Sequence, residues 1–438
     1  MQSSCPRTTL RQVSAAHEIP LIMPATPHPM YASTAQRLHQ GLNPGDFQIA
    51  IICALVVERD AVEATMVLDR RQFRKARGDR NQYTLGSICG KPVVLVCLEN
   101  MGPLSALECA RDTELTFQNI AFALIVGCAG GVPYIPDGMG WKESDIHLGD
   151  VIISTQVIQY DQGSCLENEL KRRTDVEDVL RKAPRAVRNV VNLLKTGQSD
   201  LFERIQSKTA VPLDLLSPYQ NKLRTTAYSP PSKKTDLVYA QDHRHKHHDP
   251  SVCDVCAACT HWSHTVCEEA LRTHCRDLGC TPAFNRGGRS GSDNTNAGMS
   301  LSAQLERPTK IHVGRIASGS AVMKSAHSRD RIVRQDGVIG FEMEGAGVSE
   351  VFGTIVIKGV VDYADSHKNK DWRLYPMARA ALCAAAIIEA IQLEDPPHQQ
   401  MRKWNENRIS HARSLHRVSS FVCIPNYSRS IVYHAGLW

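Results

Sequence analysis

Three acidic residues stand where apolar runs end. Glu58 follows FQIAIICAL (47–55), Glu344 lies in VIGFEMEGAG, and Asp362 closes TIVIKGVVD (354–362). Carboxylates gathered at the carboxyl ends of strands face the ligand crevice of an open α/β sheet, so residues far apart in sequence are expected to meet there. Taken singly, each is also the carboxylate that a helix N-terminus favours through its dipole. A fourth segment, GCAGGVP, puts Gly127, Cys128, Ala129 and Gly130 directly behind an apolar run. In such a loop, backbone N–H groups approach an anion, a hydroxyl or a water without side chains intervening, although the same pattern serves a plain turn. It fits neither the dinucleotide fingerprint nor the P-loop.

A second kind of chemistry lies apart from these. Six cysteines fall between Cys253 and Cys280 and seven histidines between His243 and His274, with Cys253-x-x-Cys256-x-x-Cys259 followed by His261, His264 and Cys267. That spacing suits a tetrahedral structural zinc site. Solvated histidines and unpaired thiols in a loose segment would give the same composition.

The elements that must position the carboxylates read as α/β. FQIAIICAL is a short buried strand, and VVERDAVEATMVL (56–68) places Val57, Ala61, Ala64 and Leu68 on one helical face with Glu58 in the first turn. Strands recur at VVLVCL, FALIVG, DVIIS and TIVIKGVVD. Helices are expected at PLSALECARDTELTF (103–117) and PMARAALCAAAIIEAIQ (376–392), the latter with Met377, Ala381, Ala384, Ile388 and Ile391 on one stripe. Continuous apolar strands alternating with helices imply a sheet covered on both faces, a three-layer α/β/α sandwich around a mixed sheet. Four regions follow: an N-terminal arm (1–45), a catalytic domain in two parts (46–162 and 309–394), an insertion (163–308) and a basic C-terminal tail (395–438). Within the insertion, RAVRNVVNLL (185–194) is expected to be helical and NRGGRSGSDNTNAGMS (285–300) to be a disordered linker.

Composition excludes several classes. The 438 residues are 42% hydrophobic and 22% charged, with no stretch resembling a membrane span. No charged segment followed by an apolar one opens the chain, so a cytoplasmic location is expected, where fifteen cysteines stay reduced. The net charge of +6 comes almost wholly from residues 397–438, where six Lys/Arg face only Glu406. The remainder is nearly neutral, so neither a nucleic-acid nor a membrane partner is expected.

In chain order, IAIICALVVERDAV, ENMGPLSA, LIVGCAGGVP, DIHLGDVIIS, IHVGRIASGSAVMK, GFEMEGAG and GVVDYADSHKNKDW resemble the purine and uridine phosphorylase superfamily. The resemblance is strongest to the fungal-type domain related to the bacterial methylthioadenosine/adenosylhomocysteine nucleosidases, and it covers most of residues 47–162 and 309–392. It implies cleavage of the N-glycosidic bond of a purine nucleoside or nucleotide, adenine-type, without a cofactor. By resemblance, Glu344 holds the ribose hydroxyls with Met343 packed under the sugar, Asp362 protonates purine N7, and Glu58 activates water. Val322 and Met323 line the base pocket or pack in the core. The chemistry agrees, because an oxocarbenium-like transition state is stabilised by a nearby carboxylate and a purine leaves readily once protonated. Protonation of Asp362 near neutral pH requires burial or a neighbouring carboxylate, for which Asp365 is the candidate.

A carboxylate at position 58 repels phosphate and suits water, favouring hydrolysis over phosphorolysis, although Arg59 could serve a phosphate. Two positions depart from the family pattern. Lys358, which with Asp365 is expected among the substrate-binding residues, stands where arginine is usual, and Val361 replaces a small polar residue beside Asp362, which leaves room for a domain that senses nucleotide without turnover. A homo-oligomer is a further expectation. Any zinc would be structural.

Overall fold

The computed structural model describes residues 43–167, 170–173, 180–211, 228–286 and 308–393. Most of the N-terminal arm, the greater part of the linker expected over 285–300, and the basic tail lie outside the described residues. In chain order the elements are β1 (Ile49–Cys53), α1 (Val56–Glu63), β2 (Val67–Asp69), β3 (Tyr83–Ile88), β4 (Lys91–Cys97), α2 (Pro103–Thr116), β5 (Phe122–Gly131), β6 (Tyr134–Asp137), β7 (Gly140–Glu143), β8 (Val151–Gln159), β9 (Gly163–Cys165) and β10 (Leu170–Arg172). There follow α3 (Arg185–Leu194), α4 (Asp200–Ala210), β11 (Leu237–Val238), α5 (Asp254–Ala257), β12 (Phe284–Asn285), β13 (Ile311–Ser318), α6 (Ala326–Asp336), β14 (Val338–Glu342), α7 (Gly345–Ser349), β15 (Thr354–Asp362) and α8 (Leu374–Ala390).

Nine strands form one mixed sheet in the order β14-β13-β8-β15-β5-β1-β4-β3-β2, and β14 also pairs with β5. The central pairs β1/β4, β1/β5 and β15/β5 are parallel, which accounts for their continuous apolar sequences, since such strands are covered on both faces. The extra pairing closes β5, β15, β8, β13 and β14 into a ring. Only antiparallel contact at Gly340↔Gly131 and Phe341↔Gly130 achieves this, and it brings the carboxyl ends of β5 and β14 together.

The segment expected to be a glycine loop is therefore strand. β5 continues through Gly127, Cys128, Ala129 and Gly130 to Gly131, because residues without side chains let it change partners at close quarters. The first helix also differs from expectation. It stops at Glu63, where both the amide and the hydroxyl of Thr65 turn onto the Val62 carbonyl, and Leu68 belongs to edge strand β2 rather than to the helical face.

From Asn43 onward the described residues belong to one compact unit, insertion included. Helix α3 forms where expected, and its Val187, Val190, Val191 and Leu194 join Ile205 of α4 in the principal core. Helix α4 packs against α8, which itself lies on β5, β8 and β15. Helix α8 is consequently buried well beyond its expected stripe, with Ala378, Ala380, Leu382, Cys383 and Ile387 in the core. Among the described residues no helix is long and apolar enough to cross a membrane.

Candidate functional site

The carboxyl ends of β1, β5, β14 and β15 converge on a cavity of about 130 Å³. Glu58, Cys128, Ala129, Gly130, Val322, Met323, Met343, Glu344 and Asp362 all line it, drawn from segments some 300 residues apart in the chain. Met101, Glu342, Val361 and Lys368 line it as well. Three residues expected at the site lie outside its wall, namely Gly127, Lys358 and Asp365.

Glu58 is the third residue of α1, and its carboxylate reaches back over the helix start. Oε2 accepts the backbone N–H groups of Ala54 (2.9 Å) and Leu55 (3.0 Å), and Oε1 accepts that of Cys128 (2.8 Å). Three backbone donors thus fix the carboxylate, which lines the cavity. Gly127 permits this: a Cβ there would lie 2.2 Å from Glu58 Oε1, so the strand passes under the carboxylate only without a side chain.

Glu344 and Lys358 form a buried ion pair, Nζ to Oε2 at 3.0 Å, with residue exposures of 3% and 0%. Burial alone would lower the lysine pKa, but the carboxylates of Glu344, Glu58 and Glu342 outweigh it and the net direction is upward. Lys358 pairs with Gly127 across β15 and β5, so its ammonium lies behind the cavity wall and holds Glu344 from behind. Where sequence reasoning placed Lys358 among the substrate contacts, its own contact is with a carboxylate.

Glu342 is the acidic residue that sequence reasoning passed over, although it is the first glutamate of the same Glu-Met-Glu run. Its carboxylate accepts the N–H groups of Glu344 and Gly345, all at 3.0 Å. Burial first, and the adjacent Glu344 charge second, push its pKa up to about 7.

Asp362 ends β15 at a bulge. The register with β5 shifts between Val360 and Asp362, which leaves Val361 as the extra residue on the cavity wall. Asp362 Oδ1 accepts the Ala364 N–H (2.8 Å) and the Lys368 ammonium (2.6 Å). The carboxylate neighbour expected for Asp362 is not Asp365. That residue faces Arg329 (3.7 Å) and accepts the His367 N–H (2.8 Å). Burial raises the Asp365 pKa, but His367 and Arg329 outweigh it and leave it lowered. Asp365 therefore serves the loop rather than the cavity. Lys368 lies in the GVVDYADSHKNKDW stretch, but its contact with Asp362 depends on how the turn after β15 folds back.

Val322 is half-exposed at the mouth, whereas Met323 packs partly on the cluster of Val132, Ile158, Ala317 and Phe341, so the two side chains divide between the readings expected for them. Arg59 is turned away from the cavity. Its guanidinium meets Asp60 (2.9 Å), Glu63 and Thr84 (3.0 Å).

The cysteine cluster is smaller than its spacing suggested. Cys253, Cys256 and Cys267 converge within 4.8 Å of one another. The other expected ligands turn elsewhere: Cys259 Sγ contacts the His264 carbonyl (3.9 Å), His264 Nδ1 accepts the N–H groups of Thr260 and His261, and His261 Nδ1 meets Ser263. Tight turns around Thr260 use those side chains locally.

The chain is 26% identical over 357 residues to a nucleotide-binding leucine-rich repeat (NLR)-like protein of Hyaloscypha variabilis, a match covering 79% of this chain and 30% of that protein. It thus spans about a third of the length of the curated relative it matches. Among solved structures it is similar to an S-adenosylhomocysteine nucleosidase from Streptococcus pyogenes in complex with 5-methylthiotubericidin (TM-score 0.44, 14% identity, covering 80% of this chain and 99% of that one). It is also similar to a 5'-methylthioadenosine/S-adenosylhomocysteine nucleosidase from Neisseria meningitidis in complex with methylthio-immucillin-A (TM-score 0.43, 13% identity, 78% and 99%). A futalosine hydrolase of Helicobacter pylori gives TM-score 0.43 and 12% identity, covering 79% and 99%. The sequence profile of the phosphorylase superfamily matches residues 48–391, a span that contains every strand of the central sheet and every residue lining the cavity, and the chain belongs to that superfamily.

Proposed function

We propose that this chain cleaves the N-glycosidic bond of an adenine-type purine nucleoside or nucleotide by hydrolysis. One observation carries the reading: the cavity is lined by four carboxylates, Glu58, Glu342, Glu344 and Asp362, against one lysine, Lys368, which is already bonded to Asp362, and no arginine lines it among the described residues. A phosphorylase must hold a phosphate against its charge, and such a wall repels one. A developing ribosyl cation is stabilised by the same wall.

In this reading Glu344, held by Lys358, bonds the ribose hydroxyls, and Met343 packs beneath the ring. Water attacks C1′ as the bond from C1′ to the base nitrogen breaks. The bonding pair leaves with the purine, the water proton passes to Glu58, and N7 takes a proton from the Asp362–Lys368 pair. Because that pair is an ammonium on a carboxylate, the transferred proton begins on Lys368 Nζ and Asp362 orients it. Transfer of the Glu58 proton back to the pair through solvent restores the site. Val322 and Met323 flank the base.

The test is a panel of nucleosides and nucleotides incubated with purified protein, with and without phosphate, followed by identification of the sugar product. Free adenine with ribose or a ribose phosphate, at a rate independent of phosphate, is the expected result. Ribose 1-phosphate formed in proportion to added phosphate means phosphorolysis.

A second reading, nucleoside binding without turnover, is favoured by one contact. Lys368 Nζ already occupies Asp362 Oδ1 at 2.6 Å, a contact that a ligand-holding site needs no less than a catalytic one. The similarity to part of a longer NLR-like protein is compatible with it. Saturable binding of an adenine nucleoside with no sugar product from any member of the panel would establish that reading.

A further inference from the structure

The insertion between Tyr239 and Cys280 buries few apolar side chains of its own: the cluster there is Cys256, Ala270 and Leu278. So small a core does not hold a segment of this length without a staple. Four side chains that the catalytic reading leaves unused lie at its junction with the turn after β15.

His245 presents its two ring nitrogens to different partners. Nε2 lies 3.1 Å from the Thr273 carbonyl, while Nδ1 lies 3.5 Å from Cys275 Sγ and 3.7 Å from Cys280 Sγ. An N–H donated to a backbone carbonyl leaves the other nitrogen as a lone pair, and here that lone pair faces two sulfurs. A tetrahedral zinc with ordinary bonds of about 2.3 Å to sulfur and about 2.0 Å to nitrogen has nitrogen–sulfur edges of about 3.5 Å. The two observed separations match those edges.

The fourth side chain comes from the catalytic part of the chain. His367 lies with Cys280 and His243 in a second group whose ligand atoms are within 4.8 Å of one another. It is 7% exposed, and neither ring nitrogen has a hydrogen-bond partner. Leaving a buried polar group unpaired costs about 1–3 kcal/mol, so a ring in this position implies a further ligand. His367 Nδ1 is 3.7 Å from Asp365 Oδ1, the carboxylate–imidazole arrangement that accompanies metal-bound histidines. His243 is the lesser candidate, since its Nε2 already accepts the Thr281 N–H at 3.0 Å.

We infer that His245, Cys275, Cys280 and His367 bind one zinc ion, which ties the insertion to the turn carrying Lys368. Two thiolates and two imidazoles in tetrahedral array are the donor set of zinc. The next residue after His367 is the lysine that bonds Asp362 Oδ1, so the metal fixes the backbone from which that ammonium reaches the cavity. The site is structural, and it stands whether or not the cavity turns over a nucleoside.

The full chain, purified without a polyhistidine tag or added metal, is analysed by mass spectrometry for zinc. Wild type is expected to hold zinc, Cys275→Ser/Cys280→Ser to lose one equivalent relative to it, and Cys253→Ser/Cys256→Ser to keep that equivalent. His367→Ala is expected to weaken retention against a chelator at least about tenfold. Zinc-free wild-type protein, or undiminished zinc in Cys275→Ser/Cys280→Ser, overturns the inference. Should that variant fail to fold, wild type is titrated with an organomercurial while released zinc is read with a chromophoric chelator. Release is expected to follow modification of Cys275 and Cys280, and release that follows only Cys253, Cys256 and Cys267 overturns the assignment.

Discussion

Lys368 Nζ lies 2.6 Å from Asp362 Oδ1 and 3.1 Å from the Met323 carbonyl, so one ammonium joins the carboxylate at the end of β15 to the segment that flanks the expected base position. In the proposed reaction the acid is therefore a pair. Asp362→Asn and Lys368→Met are each expected to impair cleavage of adenosine-type substrates severely, and to impair a nitrophenyl riboside much less, because a good leaving group needs no proton. Steady-state rates on the two substrates check this, provided wild type cleaves both. Equal losses in well-folded variants would remove the pair from leaving-group activation.

Glu58→Gln is expected to lower turnover roughly 10²-fold or more while leaving nucleoside affinity nearly unchanged. Single-turnover rates and equilibrium binding separate the two effects. An unchanged rate would exclude Glu58 as the base.

Gly127→Ala tests the same carboxylate without altering it. The added Cβ would meet Glu58 Oε1 at 2.2 Å, so either the strand or the carboxylate must move. Turnover is expected to fall at least as far as in Glu58→Gln, together with a lowered Tm from overpacking of about 1–3 kcal/mol. Full activity in Gly127→Ala would mean that the close approach of Glu58 to β5 has no bearing on the reaction.

Lys358→Met leaves Glu344 buried without its partner, a loss expected to be about 3–5 kcal/mol. In Lys358→Met/Glu344→Gln the uncompensated charge is gone, so part of that loss should return. Denaturant unfolding of the four proteins of this cycle measures the coupling, and simple additivity would show that the pair is not energetically linked.

Glu342 makes stability depend on pH. Its folded-state pKa of about 7 lies above the ordinary value of 4.5, raised by burial and by Glu344. The native state therefore holds a proton that the unfolded chain has already released, and stability falls as pH rises from 4.5 toward 7. Glu342→Gln is expected to flatten that decline, by an amount on the order of a few kcal/mol across the window. Denaturant midpoints at several pH values read it directly, and an unchanged slope would assign the decline to another group.

Sequence alone determined the parts whose signals are local. The α/β class was legible because strands such as Ile49–Cys53 and Thr354–Asp362 are continuous apolar runs that only a doubly covered sheet accommodates. Glu58, Glu344 and Asp362 were legible because each closes such a run, and the cavity gathers all three. Tertiary structure decided what depends on partners distant in the chain. The GCAGGVP segment became strand because β14 pairs with its end, a contact across more than 200 residues that no local pattern encodes. Helix α8 was buried well beyond one stripe because α4, from the insertion, and α1 pack on it in addition to the sheet. The cation beside Asp362 proved to be Lys368 and the cation behind Glu344 proved to be Lys358, and His367 was set against Cys280 rather than any of the closely spaced histidines near Cys259. Composition and spacing state which groups a chain can bring to a site. Which of them meet is decided by packing, because burying a charge or an imidazole is tolerable only where the fold supplies its partner.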